Sequence, residues 1–213
     1  MIHVRSVNTG HAVDAQWAGS LKRTAIDKRE VTGAVAVTFH GLAGDEQADT
    51  ANHGGLDQAV YAYPREELDL WQEWLDRPLR DGVFGENLTT TGLEVSRALV
   101  GERWRVGTAL VEVTLPRTPC GVFRNWLEEH GWVKRFTAEA RTGAYLRVLE
   151  EGHVEAGSPV TVEYRPEHRI DIATAFHATH DRDLALLHRL LEVPGRSEKW
   201  VQSIAKVERQ LSW

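Results

Sequence analysis

Cysteine is almost missing from this chain. Cys120 is the single one among 213 residues. A lone thiol excludes an intramolecular disulfide, and with it a cysteine-rich zinc or iron–sulfur site. Long apolar runs are also missing, which excludes a membrane-spanning helix. The opening Met1-Ile2-His3-Val4-Arg5 lacks the apolar stretch of a secretory leader. Together these absences lead us to expect a soluble, cytoplasmic protein with no membrane partner. There are no internal repeats, no low-complexity tracts, and neither the Walker nor the Rossmann glycine pattern. Nor is there an excess of basic residues. With 25 Lys and Arg against 31 Asp and Glu, the net charge is −6. Nucleic-acid binding wants a basic face, so no nucleic-acid partner is expected. A local basic pocket for a small anion stays open.

The stretch that organises the rest is Leu115-Pro116-Arg117-Thr118-Pro119-Cys120-Gly121. It follows an alternating, β-branched run from Leu110 to Leu115 that predicts a strand. Pro116 is expected to end that strand, because proline cannot donate to a sheet ladder. Pro119 restricts Thr118 and fixes its own φ, so the thiol is presented from a stiff loop. Arg117 puts a permanent cation three residues before the sulfur. A nearby cation favours thiolate, the form that attacks and that ligates metals. Many lone cysteines are small buried hydrophobes. The Pro-Arg-Pro-Gly surroundings make a loop, where chemistry tends to sit.

Along the chain, Ile2–Val4 with Val7 predicts an opening strand. A basic cluster, Lys22, Arg23, Lys28 and Arg29, follows; it can be a solvated loop or a handle for a phosphate. Val31 to Phe39 predicts a strand or a hairpin around Gly33. Gly41-Leu42-Ala43-Gly44-Asp45-Glu46-Gln47-Ala48-Asp49 reads as a loop. In Asn52-His53-Gly54-Gly55-Leu56-Asp57, the paired glycines can be a plain turn or let backbone N–H groups converge on an anion. His53 can orient a ligand or move a proton. Strand residues 60–63 precede a helix opened by Pro64, with Leu68, Trp71 and Leu75 as its apolar stripe and Pro78 beyond its end.

In Phe84-Gly85-Glu86-Asn87-Leu88, Glu86 and Asn87 can read the edge of a heterocycle, or Asn87 can cap a turn. A hairpin is expected across Gly107-Thr108. Helical patches are expected around residues 123–127 and 133–140, a strand over 143–149 with a turn at 152–154, and a strand over 159–164. Many short strands with a few inserted helices point to a β-barrel or a sandwich. Beyond residue 168 the strand period vanishes. Three short helices are expected, the second capped by Asp181 and the third by Ser197, with Pro194-Gly195 between them. That divides the chain into residues 1–165 and 166–213.

Six motifs in order resemble the MOSC domain family, named for the C-terminal domain of molybdenum cofactor sulfurases, and within it the YiiM-like branch. They are residues 41–49, His53-Gly54-Gly55-Leu56-Asp57, Tyr63-Pro64-Arg65-Glu66, Phe84-Gly85-Glu86-Asn87-Leu88, Pro116-Arg117-Thr118-Pro119-Cys120 and Gly143-Ala144-Tyr145-Leu146-Arg147-Val148. The resemblance implies a mainly β fold: a barrel with inserted helices and a small three-helix C-terminal domain. It implies the molybdenum cofactor, a molybdopterin, with Cys120 as the molybdenum ligand, and reduction of N-hydroxylated compounds such as 6-N-hydroxylaminopurine.

Under that reading Cys120, His53 and Asn87 form the catalytic set. Lys28, Arg29, His53, Gly54, Gly55, Glu86, Asn87, Arg117 and Arg147 are the cofactor-binding set. A soft thiolate suits such a centre. Basic side chains and glycine-lined backbone suit the cofactor's phosphate and polar bicyclic pterin. With no flavin or iron–sulfur motif visible, electrons are expected from a separate reductase. Two other readings stand beside this one: a cofactor carrier or sulfur-transfer protein without turnover, and a metal-free thiol enzyme using Cys120 with His53 as base. The helical tail is left to dock either the electron donor or a second copy of the chain, as a homodimer.

Overall fold

The structure is a computed structural model, and it describes residues 1–49, 54–194 and 196–211. His53 therefore lies outside the described residues, as do Asn52 and Gly195.

The strands, in chain order, are β1 (His3–Thr9), β2 (Val13–Asp14), β3 (Arg23–Thr24), β4 (Arg29–Glu30), β5 (Val35–Thr38), β6 (Gly41–Leu42), β7 (Val60–Pro64), β8 (Leu88–Thr91), β9 (Arg103–Val106), β10 (Ala109–Pro116), β11 (Ala144–Glu150), β12 (Gly152–Val154) and β13 (Val160–Tyr164). The helices are α1 (Arg65–Leu75), α2 (Gly121–Leu127), α3 (Trp132–Glu139), α4 (Ile172–Asp181), α5 (Leu184–Leu191) and α6 (Glu198–Leu211). None of them is long and apolar enough to cross a membrane.

Eight strands make one mixed sheet in the order β13-β9-β10-β11-β7-β8-β1-β4. Only β7 and β8 run parallel, joined by the crossover through α1. The sheet curls until the start of β13 meets β1, but the seam is not a ladder. One bridge, His3 to Pro159, joins them, with backbone bonds from Val4 N to Ser158 O at 2.9 Å and from Gly157 N to Val4 O at 2.8 Å. The mainly β fold with inserted helices is as expected; the barrel itself is not closed, and the sheet stays curled and open at this seam. Pro159 explains the point of failure: it has no N–H to offer there.

Pro116 ends β10 as expected, opposite Ala144; an end position costs no ladder donor. Local expectations were corrected at three places, each for a readable reason. Residues 152–154 form β12, paired with β5, instead of a turn. The Val31–Phe39 strand begins only at Val35, because Gly33 adopts a left-handed turn with φ of 82°. Asp181 closes α4, and Asp183 is the residue that caps α5, accepting from Leu186 N at 3.0 Å.

Two packing features position the site. The first is an aromatic cluster of Trp71, Phe84, Phe123, Trp132 and Phe136, all fully buried. Ring centroids lie 4.7 Å apart for Trp71 and Trp132, and 5.0 Å apart for Phe84 and Phe123. Burying one such side chain is worth about 1.5–3 kcal/mol, and Phe123 thereby anchors α2 directly behind Cys120. The second feature is the tail. Residues of α4, α5 and α6, among them Ile172, Leu187, Leu190, Trp200 and Ile204, belong to the same buried apolar cluster as the sheet. The backbone is stitched as well, with Ile172 N to Ala98 O at 2.9 Å and Val100 N to Ile170 O at 3.1 Å. The three helices share the core of the sheet; they have no large one of their own.

Candidate functional site

A cleft of about 540 Å³ opens beside the loop that follows β10, within the ~300–1,000 Å³ of small-molecule sites. Four segments wall it: the strap of residues 18–28, the acidic loop of residues 45–49, the turn of Gly85 and Asn87, and the stretch from Arg117 to Asn125. Tyr61 on β7 and Tyr145 on β11 form its floor.

Cys120 lines the cleft, half-buried, as the residue preceding α2. Its extended backbone lets its carbonyl accept from Arg124 N at 3.0 Å. The helix thus fixes where the sulfur starts, and Pro119 stiffens the approach.

Arg117 is the most unusual group in the cleft. It is 7% exposed. Its guanidinium carbon lies 4.4 Å from the centre of the Phe123 ring and 5.2 Å from that of Tyr61. Among the described residues its Nε has no hydrogen-bond partner, and no carboxylate forms an ion pair with it. Aromatic faces stabilise a desolvated guanidinium, by about 2 kcal/mol or more per good contact, but they do not neutralise it. A buried cation held this way is a standing attraction for an anion. Tyr145 lies within its field: burial pushes the phenol up, and Arg117 pulls the other way.

Lys28 lines the same cleft but is already spent. It forms a buried ion pair with Asp45. Asp45 Oδ1 also accepts from Gly10 N at 2.9 Å, and its Oδ2 accepts from Asn87 Nδ2 at 2.8 Å. Burial pulls the Lys28 ammonium below its ordinary value, with Asp45 opposing.

Asn87 faces the cleft with its amide fully committed. Its Oδ1 accepts from Tyr61 N at 3.1 Å, and Nδ2 also reaches Asn8 O at 3.3 Å. Glu86 is wholly buried and does not line the cleft. Its carboxylate accepts from Gly82 N at 2.6 Å, Phe84 N at 2.9 Å and Thr89 Oγ1 at 3.0 Å, and burial pushes it up to about 7 against those donors. Glu86 and Asn87 therefore hold the frame; neither has a free edge to offer a heterocycle.

The remaining expected residues scatter. Arg29 lies in a different groove with Arg5, Arg65 and Arg80, 64% exposed and bonded to Asp27 at 2.7 Å. The cations of that groove are matched by Asp27, Asp69 and Asp81. Arg147 pairs with Asp57 at 3.0 Å and does not line the cleft. Gly54 is buried behind the wall, and Gly55 turns away with φ of 90°. The structure thus brings Cys120, Arg117, Lys28 and Asn87 together and leaves Arg29, Arg147 and Glu86 elsewhere.

Three features escaped sequence reasoning. The tyrosine floor was hidden because Tyr61 and Tyr145 read as ordinary strand residues; their cross-strand pairing, with ring centroids 5.1 Å apart, is a property of the sheet. Asp45 is the hub of the wall, but nothing singles it out among three acids in its motif. The lip is the third: Trp17 stacks on Trp126 at 6.0 Å, and Asn125 Nδ2 bonds to Trp17 O at 2.8 Å, so the strap is clasped to α2.

Comparisons with known proteins place this geometry. The MOSC domain model matches residues 49–161. The uncharacterized protein YflK of Bacillus subtilis is 36% identical over 210 residues, covering 98% of this chain and 95% of YflK. A protein named reductase from Gibberella moniliformis is 30% identical over 167 residues, which is 76% of this chain but only 30% of that longer protein. Among solved structures, YiiM from Geobacillus stearothermophilus superposes with a TM-score of 0.82 at 30% identity, covering 97% of this chain and 99% of that one. The chain belongs to the MOSC domain family and is a YiiM-like member of it. MOSC domains are associated with binding of the molybdenum cofactor.

Proposed function

We propose that the cleft holds the molybdenum cofactor, with Cys120 as the protein's ligand to molybdenum, and that the protein is a cytoplasmic reductase of N-hydroxylated compounds such as 6-N-hydroxylaminopurine. The observation that carries this reading is the pairing of one thiol with one buried, carboxylate-free guanidinium in the same cleft. The residues present fit the group. Cys120 is a soft donor; Arg117 is a desolvated cation for an anionic oxygen; Tyr61 and Tyr145 offer flat faces to a bicyclic ring. Family membership and the reductase name of one relative support the oxidoreductase reading.

Bound there, the cofactor would supply a two-electron couple for breaking an N–O bond. The chain's own residues would do the rest. Arg117 would hold the thiol as thiolate and orient an anionic oxygen beside it. The Lys28–Asp45–Asn87 network would keep the strap and the acidic loop in place without adding net charge. Asn125 and the Trp17–Trp126 stack would keep the strap closed over the cleft and limit the entry of water. Electrons would come from a separate reductase.

The deciding experiment uses protein purified from a cofactor-competent host, with molybdenum measured by mass spectrometry and pterin by fluorescence after oxidation. Wild type should carry both near stoichiometry, and Cys120→Ala should lose molybdenum. A wild type lacking both, while a control molybdoprotein from the same host is loaded, would sink the proposal and leave the metal-free thiol enzyme as the reading to pursue.

A further inference from the structure

Lys199 stands far along the chain from the cleft, on the first turn of α6, yet it reaches the cleft's wall. Its Nζ donates to Gly54 O at 3.2 Å and to the side-chain oxygen of Gln58. Gln58 is 8% exposed and lines the cleft. The carbonyl of Gln58 accepts in turn from Gln47 Nε2 at 3.4 Å, and Gln47 lines the cleft too. The neighbouring residue braces the same corner: Trp200 Nε1 donates to Thr114 O at 3.0 Å, and Thr114 Oγ1 bonds to Asp57 O. One turn of α6 thus holds two successive layers, the turn of residues 56–58 and the acidic loop behind it.

The turn needs such a support. Gly55 sits at φ of 90°, a conformation that glycine adopts freely and therefore leaves just as freely. The turn is three residues long, too short to hold itself by its own ladder. A partly buried ammonium is a strong fastener, because hydrogen bonds from a charged donor are stronger than those between neutral groups. Burial pulls Lys199 below its ordinary value, while Asp57 and Asp49 hold its charge in place.

We infer that Lys199 is a positioning residue of the cofactor site: the C-terminal helical unit completes the cleft by latching its wall through this side chain. The inference rests on the cofactor reading only for what the cleft holds. Whether the latch exists is a separate question, and so is its test.

The test uses the full chain, as wild type, Lys199→Met and Lys199→Arg. Amide hydrogen exchange is followed in cofactor-free protein at residues 45–49 and 54–59. Lys199→Met should speed exchange there at least ten-fold, with β10 and β11 unchanged, and Lys199→Arg should restore it to within a few-fold of wild type. Molybdenum retained after prolonged dialysis should fall in Lys199→Met and recover in Lys199→Arg. Unchanged exchange in the two segments overturns the latch. So does an increase spread evenly over the chain, which marks a general loss of stability. Loosened segments with wild-type molybdenum retention overturn the positioning role. If wild type itself carries no molybdenum, the cofactor reading fails, and the exchange comparison still decides the latch.

Discussion

Two cations line one cleft and live by opposite rules. Lys28 and Arg117 are equally hidden, each 7% exposed. Lys28 has a carboxylate against it, and that carboxylate is tied to a backbone N–H and to an asparagine amide. Arg117 has two aromatic faces and no carboxylate. A paired buried charge shapes its surroundings and shows little field outside them. An unpaired one is destabilising in the empty protein, and that cost is recovered when an anion arrives. The strap end of the cleft is therefore framework, and the thiol end is where a ligand's negative charge is wanted. Counting basic residues does not reveal this division; it depends on where the acids fall.

The sharpest way to break the comparison is to treat the two cations alike. Lys28→Met should destabilise the fold by about 3 kcal/mol, because it strands Asp45 as a buried carboxylate with only its two remaining donors. Urea unfolding of cofactor-free protein measures this. A loss under about 1 kcal/mol would mean that the pair is solvated, and the framework role would go with it.

The same local rule explains what could and could not be read from the sequence. Lys28 and Arg29 are adjacent in a basic cluster that the sequence leaves open as a solvated loop or a phosphate handle. Successive side chains of an extended segment face opposite sides, so Lys28 turns in toward Asp45 and Arg29 turns out toward Asp27. The basic cluster was legible as a cluster, but not which member enters the cleft. The Cys120 loop was legible because two prolines and a strand leave few conformations for it. The strands from β7 to β11 were legible because their apolar alternation is local. The seam between β1 and β13, the tyrosine floor and the Lys199 latch each join residues more than eighty positions apart. No local period encodes such contacts. Glu86 was misjudged for a related reason: an acid next to an asparagine looks like a ligand reader until the N–H groups of its own turn are seen to occupy it.

Glu86 and Glu67 extend the comparison to buried acids. Glu67 lies near the opposite end of β7 from the cleft floor, accepting from Ser96 Oγ at 2.8 Å, and burial pushes it up to about 7 despite that donor and Arg141. Glu86 is pushed to about 7 likewise. A carboxyl whose folded value is raised binds its proton more tightly in the native state. Its contribution is therefore fully present below about 4.5, is lost as pH rises to about 7, and stays lost above. At ~1.36 kcal/mol per unit, the span from 4.5 to about 7 is worth up to about 3 kcal/mol for each group. The difference in unfolding free energy between Glu86→Gln and wild type should shift in the variant's favour between pH 5 and pH 8, and Glu67→Gln should behave the same way. A difference that stays flat across that range would show that the N–H and O–H donors keep these acids ionised.

The smallest stability change is expected at the other cation, and its smallness is the point. Arg117→Met keeps most of the side chain's bulk between Phe123 and Tyr61 and removes a charge that no ion pair among the described residues neutralises. The lost cation–π contacts, about 2 kcal/mol each when desolvated, are set against relief of a buried charge that costs several kcal/mol. The cofactor-free variant should unfold within about 1 kcal/mol of wild type, where Lys28→Met does not. Its ligand should tell the opposite story. Losing one charge-assisted contact to an anion costs about 1.5–3 kcal/mol, so cofactor retention should fall ten-fold or more. A stable variant with poor retention would mark Arg117 as a charge kept for a ligand. An unstable variant that retains cofactor normally would mark it as part of the frame, no different in kind from Lys28, and the division of the cleft into a framework end and a ligand end would collapse.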